Sequence, residues 1–136
     1  MKDATIIFIL VDTDGITEKN KNSKIYLFDD EGKSEQPGDP KNFVARVGKN
    51  KKVVWMIQAD PFEKKPSNVS LLKISKKKNI KNNANILRKK SYKVDKKGSV
   101  VGKTRDKKVK GEESYNITLK VGKKTFVIDP KLRMNP

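Results

Sequence analysis

The chain has 136 residues, 34% hydrophobic and 36% charged, with a formal net charge of +17. That length supports one domain with a real core and is too short to divide comfortably into two, so a single domain over 1–136 is expected. With no Cys and no His, disulfides, thiolate and Ser-His chemistry and Cys/His zinc sites are excluded, and a metal ion would have oxygen ligands alone.

In chain order, the first apolar run is Ala4 to Val11. Asp3 before it, Asp12 and Asp14 after it, and the lack of a small-x-small cleavage site argue against an export signal. No run approaches the ~20 apolar residues of a membrane span, so the expected location is the cytoplasm. Strands are predicted over Thr5–Val11 and Lys24–Phe28, followed by the turn-rich linker "DDEGKSEQPGDPKN". "NFVARV" and "KVVWMIQA", joined by Gly48–Lys51, read as a β-hairpin. In the return strand Val53, Trp55 and Ile57 point one way and Val54 and Met56 the other, which predicts a central strand covered on both faces with Trp55 as a core anchor.

Further strands are predicted over Asn68–Ser75, Ser91–Val94 and Ser99–Lys103. Residues 80–90 come nearest to a helical period, and their paired Asn residues make a weak helix. Lys-rich loops are expected near 76–90 and 95–111. "SYNITLKV" alternates strictly, placing Tyr115, Ile117, Leu119 and Val121 on one face. Gly122-Lys123 then turns the chain into "KTFVI", giving a hairpin over 114–128. Asp129-Pro130 reads as the bend ending its ladder, with Leu132 and Met134 as an apolar tail tucking back on the fold. These strands and turns predict an all-β antiparallel sandwich, jelly-roll or Ig/cupredoxin-like, of about eight strands.

Chemistry-bearing patterns are sparse. Asp39-Pro40, Asp60-Pro61 and Asp129-Pro130 read as strand terminators in which Asp stabilises a turn. "DTDG" at Asp12–Gly15 and "DDEG" at Asp29–Gly32 echo Ca²⁺ loops. Neither matches the full ligand pattern, and the first follows a strand, so turns are expected. Glu112-Glu113 fall in an expected loop, and no pair of acids is placed for glycoside-type acid/base work. No catalytic residue, cofactor or metal site is assigned.

Residues 1–68 hold 12 Lys/Arg against 11 Asp/Glu (+1), while 69–136 hold 21 against 5 (+16). The asymmetry points to an anionic partner, nucleic acid or an acidic protein, through a basic face from about Lys73 to Lys110. Its candidate residues are Lys76, Lys77, Lys78, Arg88, Lys89, Lys90, Tyr92, Arg105, Lys107 and Lys108. Tyr92, in "RKKSYK", fits the pattern of an exposed aromatic among basic residues on which a base stacks. The competing reading is a solvated surface produced by codon drift, because only Arg46, Arg88, Arg105 and Arg133 carry the planar fork favoured in phosphate recognition.

With the strands placed, "ATIIFILVDTDGI", "KVVWMI" ahead of "NVSLLKI", and "SYNITLKV" running into "FVIDPKLRM" resemble the inclusion-body protein family (PixA/AidA-like). The resemblance implies a compact β-sandwich, a cytoplasmic bacterial location, self-association into dimers or larger inclusions, and no known enzymatic activity. No site residues follow from it. The chain departs from that family in being shorter and not methionine-rich, in having Ile128 where a Trp is usual before Asp-Pro, and in its charge, which opposes close self-packing unless an anion neutralises it.

The expected function is therefore a non-enzymatic structural or interaction module that self-associates or docks a partner, with a basic face. The alternative is a basic β-barrel that binds nucleic acid non-specifically. A hydrolytic or carbohydrate-active sandwich is disfavoured by the missing His and Cys and the scarcity of acids.

Overall fold

Residues 4–135 are described by the structure, a computed structural model; 1–3 and 136 lie outside the described residues, among them the Asp3 that precedes the first apolar run. The elements are β1 (Ala4–Val11), α1 (Lys21–Lys24), β2 (Ile25–Asp29), β3 (Val44–Val47), β4 (Lys52–Ala59), β5 (Val69–Lys76), β6 (Ser91–Lys93), β7 (Val100–Lys103), β8 (Glu112–Val121), β9 (Lys124–Ile128) and β10 (Lys131–Met134). One sheet has the order β2-β1-β4-β7 and the other β3-β10-β8-β5-β6, with β9 also on β8. The all-β sandwich expected from the alternation is the observed architecture. The two sheets do not close into the barrel of the alternative reading.

Pairing is mixed rather than wholly antiparallel: β1 with β4 and β10 with β3 are parallel. The expected hairpin over 42–59 is accordingly absent. β3 lies in the larger sheet, and Gly48–Lys51 carries the chain across to β4 in the smaller one. Alternation could not separate the two cases, because Ala45 and Val47 bury their side chains from one sheet and Val53 and Trp55 from the other. Buried Thr104 pins the passage, its Oγ1 donating to the Gly48 carbonyl (2.6 Å) and accepting from the Lys51 N–H (2.9 Å).

β4 is central, as expected, but only its inner face is covered. Trp55 is fully buried while Met56 is 41% exposed. Trp55 ties the sheets together, its Nε1–H donating to the Tyr115 hydroxyl at 3.0 Å, with the ring centroids 5.7 Å apart in an edge arrangement. Burial pushes the Tyr115 hydroxyl pKa well above its ordinary value; the Trp55 hydrogen bond pulls it back, and the neighbouring Glu113 charge pushes it further up. Gly102 of β7 lies against this pair, where a Cβ would come within 3.0 Å of the Trp55 ring.

The β8–β9 hairpin forms as the sequence predicts, Val121 facing Lys124 across Gly122-Lys123. Gly122 has φ 59°, the sign a two-residue hairpin turn reserves for glycine at its first position. Beyond the hairpin the chain departs from expectation. Ile117 pairs with Ile128 and Ser114 with Lys131, so β9 and β10 run along β8 in one register. Pro130 interrupts this strand without ending the ladder: it cannot donate, yet its carbonyl accepts from the Tyr115 N–H (3.1 Å). Leu132 and Met134 are therefore buried in a strand between β8 and β3, not in a loose tail.

Residues 80–90 form no helix, since Asn79 and Asn82 adopt φ of 62° and 61°, a conformation Asn tolerates but a helix does not. Ile86 and Leu87 are buried instead, with both N–H groups donating to Glu113 Oε1 (2.6 and 2.8 Å). Glu113, expected in a loop, is a buried member of β8. In β5 the register against β8 shifts between Leu71 and Lys73, so Leu72 is the extra residue of a β-bulge.

Candidate functional site

Two outward sheet faces, of opposite character, stand out. On the four-stranded sheet the outward phase is Ile6, Phe8 and Leu10 of β1, Tyr26 and Phe28 of β2, Val54 and Met56 of β4, and Val101 of β7. Cross-strand register lays Phe28, Phe8 and Met56 in one row and Ile6, Val54 and Val101 in the next. Phe8, Phe28, Met56 and Val101 are 40 to 42% exposed. Strand spacing and rise make this apolar area roughly 400 Å², within the range of about 300–600 Å² for the largest apolar patch of an ordinary monomer, a patch that is often functional. Charge lies at its margins, in Asp30 beyond β2 and in Lys52 and Lys103 on the β4–β7 side.

The sequence reading missed this face because the strand over Lys52–Ala59, apolar on both sides, was assigned a cover on both faces. The usable signal was two aromatics, Phe8 and Phe28, on the phase opposite to Ile7, Ile9, Ile25 and Leu27.

The outer face of the larger sheet is basic. Register sets Ser91, Ser75 and Asn116 in one row across β6, β5 and β8, and Lys93, Lys73 and Thr118 in the next. A groove of about 860 Å³ opens over this row, walled by Lys73, Lys76, Lys77, Lys78 and Lys90. Lys76 pairs with Glu113 (3.1 Å) and Lys77 with Asp129 (2.7 Å).

The structure gathers only part of the predicted basic set here. Lys76, Lys77, Lys78 and Lys90 share the groove, and Lys89 is exposed beside it. Arg88 turns away, its Nε–H donating to the Thr104 carbonyl and its Nη2–H to Asn50 Oδ1 (2.8 and 2.7 Å). Arg105 is joined to the same corner through its backbone. Lys107 and Lys108 are exposed on another loop, with Lys108 lining a separate cleft beside Gly48 and Met134. Tyr92 corrects the expectation most directly. It is 8% exposed, accepts from the Lys89 N–H and donates to the Lys103 carbonyl, so its ring is core and cannot stack on a base.

The acidic turns do local structural work. Asp12 pairs with Lys24 (3.2 Å) and accepts from the Asp14 N–H. Both Glu63 carboxylate oxygens are engaged by Thr13, one by its N–H and the other by its hydroxyl. Among the described residues no three acids gather in a way that could hold a metal ion, and no helix is long and apolar enough to cross a membrane.

The profile of the domain of unknown function DUF8788 matches residues 4–126. The chain belongs to this family. No curated protein matches it. Among solved structures it is similar to the crystal structure of the inclusion body protein PixA from Burkholderia cenocepacia J2315, at 7% identity and a TM-score of 0.56, over 97% of this chain and 94% of that one. At that identity the likeness is one of fold. The resemblance to inclusion-body proteins read from the terminal and central strands is supported at the level of architecture, and DUF8788 is the family to which the sequence itself assigns the chain.

Proposed function

We propose that this DUF8788 chain is a non-enzymatic, cytoplasmic structural module that acts as one domain over 1–136 and associates with further copies of itself through the outer face of the four-stranded sheet. The observation carrying this reading is the contiguous Phe28–Phe8–Met56 row. An uncharged apolar face stands out on a chain of net charge +17, and burying it on a second copy removes apolar surface from water while leaving the basic faces pointing apart.

A two-fold axis along the strands sets the β2 edge of one copy over the β7 edge of the other. Asp30 then faces the end of the sheet that carries Lys103, twice by symmetry. The apolar area supplies about half of the surface each partner buries in a standard interface, and the polar margin supplies the rest. The name of the structural neighbour, an inclusion body protein, agrees with a self-assembling role.

Sedimentation velocity over a range of concentrations tests the proposal. The wild-type chain is expected to gain mass with concentration, more so in added salt, which screens repulsion between the basic faces. Phe8→Thr/Met56→Thr, which places β-branched residues of high strand propensity at both positions, should remain monomeric with an unchanged melting temperature. Assembly of that variant at wild-type concentrations would overturn the reading.

A further inference from the structure

We propose that the groove over β5, β6 and β8 binds the phosphodiester backbone of nucleic acid without reading its sequence. This is a second surface, on the opposite side of the sandwich from the self-association face and independent of it. Lys73, Lys78 and Lys90 make no ion pair among the described residues, so three of its five ammonium groups are uncommitted. Lys76 and Lys77 are held in place by Glu113 and Asp129.

Between the lysines, the Ser75 and Ser91 hydroxyls and the Asn116 amide form a row in which none of these side-chain groups has a hydrogen-bond partner among the described residues. Such a row of unspent donors, flanked by point charges, suits the non-bridging oxygens of successive phosphates.

The character of the lining selects among anionic partners. Every residue walling the groove is Lys, Ser or Asn, so an acidic protein finds no apolar pocket for the anchoring side chain that dominates protein interfaces. An anionic bilayer finds no aromatic group to insert, and the exposed aliphatic group opposite Thr118 in the outward row is the short side chain of Val127. Tyr92, the aromatic nearest in sequence, is inside the core, and no Arg lines the groove, so neither base stacking nor bidentate base-edge readout is provided. Only contacts to the backbone remain, and these are indifferent to sequence and suppressed by salt.

Two matched variants test the site by fluorescence anisotropy with unrelated duplex and single-stranded oligonucleotides across a salt series. Lys73→Gln/Lys78→Gln/Lys90→Gln removes three charges from the groove, and Lys107→Gln/Lys108→Gln/Lys110→Gln removes three from the loop beyond it, so both carry +14 instead of +17. The wild type should bind unrelated sequences with similar affinity that falls steeply with salt.

The groove variant should bind on the order of tenfold or more weakly at low salt, its salt slope falling by about 0.7–0.9 for each phosphate it no longer neutralises. The loop variant should change less than about twofold, as exposed charges distant from the bound strand do. An equal loss in both variants would show general charge rather than a site and overturn the proposal. So would absence of binding at low salt, or binding of inorganic polyphosphate or heparin but not of nucleic acid. An unchanged melting temperature in both variants keeps the comparison one of binding.

Discussion

The three Asp-Pro steps share a dipeptide and not a role. Asp39 accepts from the N–H groups of Lys41 and Asn42 and from the Asn42 side-chain amide. Burial pushes its carboxyl pKa up, but those hydrogen bonds and the Lys41 charge outweigh it and hold the group below its ordinary value. Asp60 accepts from the Phe62 N–H (2.9 Å). Both are the local turns expected of Asp before Pro. Asp129 reaches instead across the sheet to Lys77 (2.7 Å), a pairing that no local pattern encodes. At this scale the sharpest prediction concerns Tyr115. Tyr115→Phe strands the Trp55 N–H in the core, at a cost of about 1–3 kcal/mol, read by urea unfolding at neutral pH. Because the folded-state pKa lies above the unfolded value of 10.0, the retained proton contributes stability that is fully present below pH 10 and is lost as pH rises above it. The stability gap between wild type and variant should therefore narrow above pH 10, by up to about 1.4 kcal/mol per pH unit; a gap constant to pH 11 would contradict the assigned burial.

Among the elements, Glu113 has the widest reach. A single carboxylate accepts two backbone N–H groups from the 86–87 segment and pairs with Lys76, so it fixes a chain section that has almost no regular structure of its own. Glu113→Ala is expected to cost about 3–5 kcal/mol, the range for removing one partner of a buried ionic pair. Glu113→Gln, whose amide oxygen still accepts, should cost less, and comparable losses in urea unfolding would show that charge rather than acceptance holds the segment. The sequence made legible whatever depends on neighbours a few residues away: the positions of β1 to β9, the Gly122 turn, the inward phase of β8 and β9, and Trp55 as an anchor. It could not show what depends on distant partners. Gly48–Lys51 joins facing sheets because β1 and β7 occupy the edges of β4 that a hairpin partner would need. Leu72 is a bulge only relative to β8. For the candidate site, charge asymmetry pointed to the half of the chain that lines the basic groove, but Lys77 and Lys107, equivalent in a composition count, are separated by the strand order, and Tyr92 was inverted by a core that only the fold reveals.

At the scale of the whole molecule, the sandwich presents one apolar and one basic outer face, and the β3–β10–β8 arrangement holds the basic sheet together. β10 supplies ladder bonds on both of its edges and buries Leu132 and Met134. A chain ended at Pro130 should therefore lose its cooperative thermal transition, and a calorimetric melt at the wild-type temperature would show that the larger sheet closes without it. The same arrangement bears on how the chain acquires its fold. Lys131 pairs with Val44, 87 positions earlier, so this pairing at the edge of the larger sheet closes a long loop and gains nothing until that entropy has been spent. Until residues 131–134 emerge from the ribosome, β3 and the start of β8 offer open strand edges of the kind that recruit other chains. The interval before β10 docks is then the stage at which a newly made chain is most open to association with others.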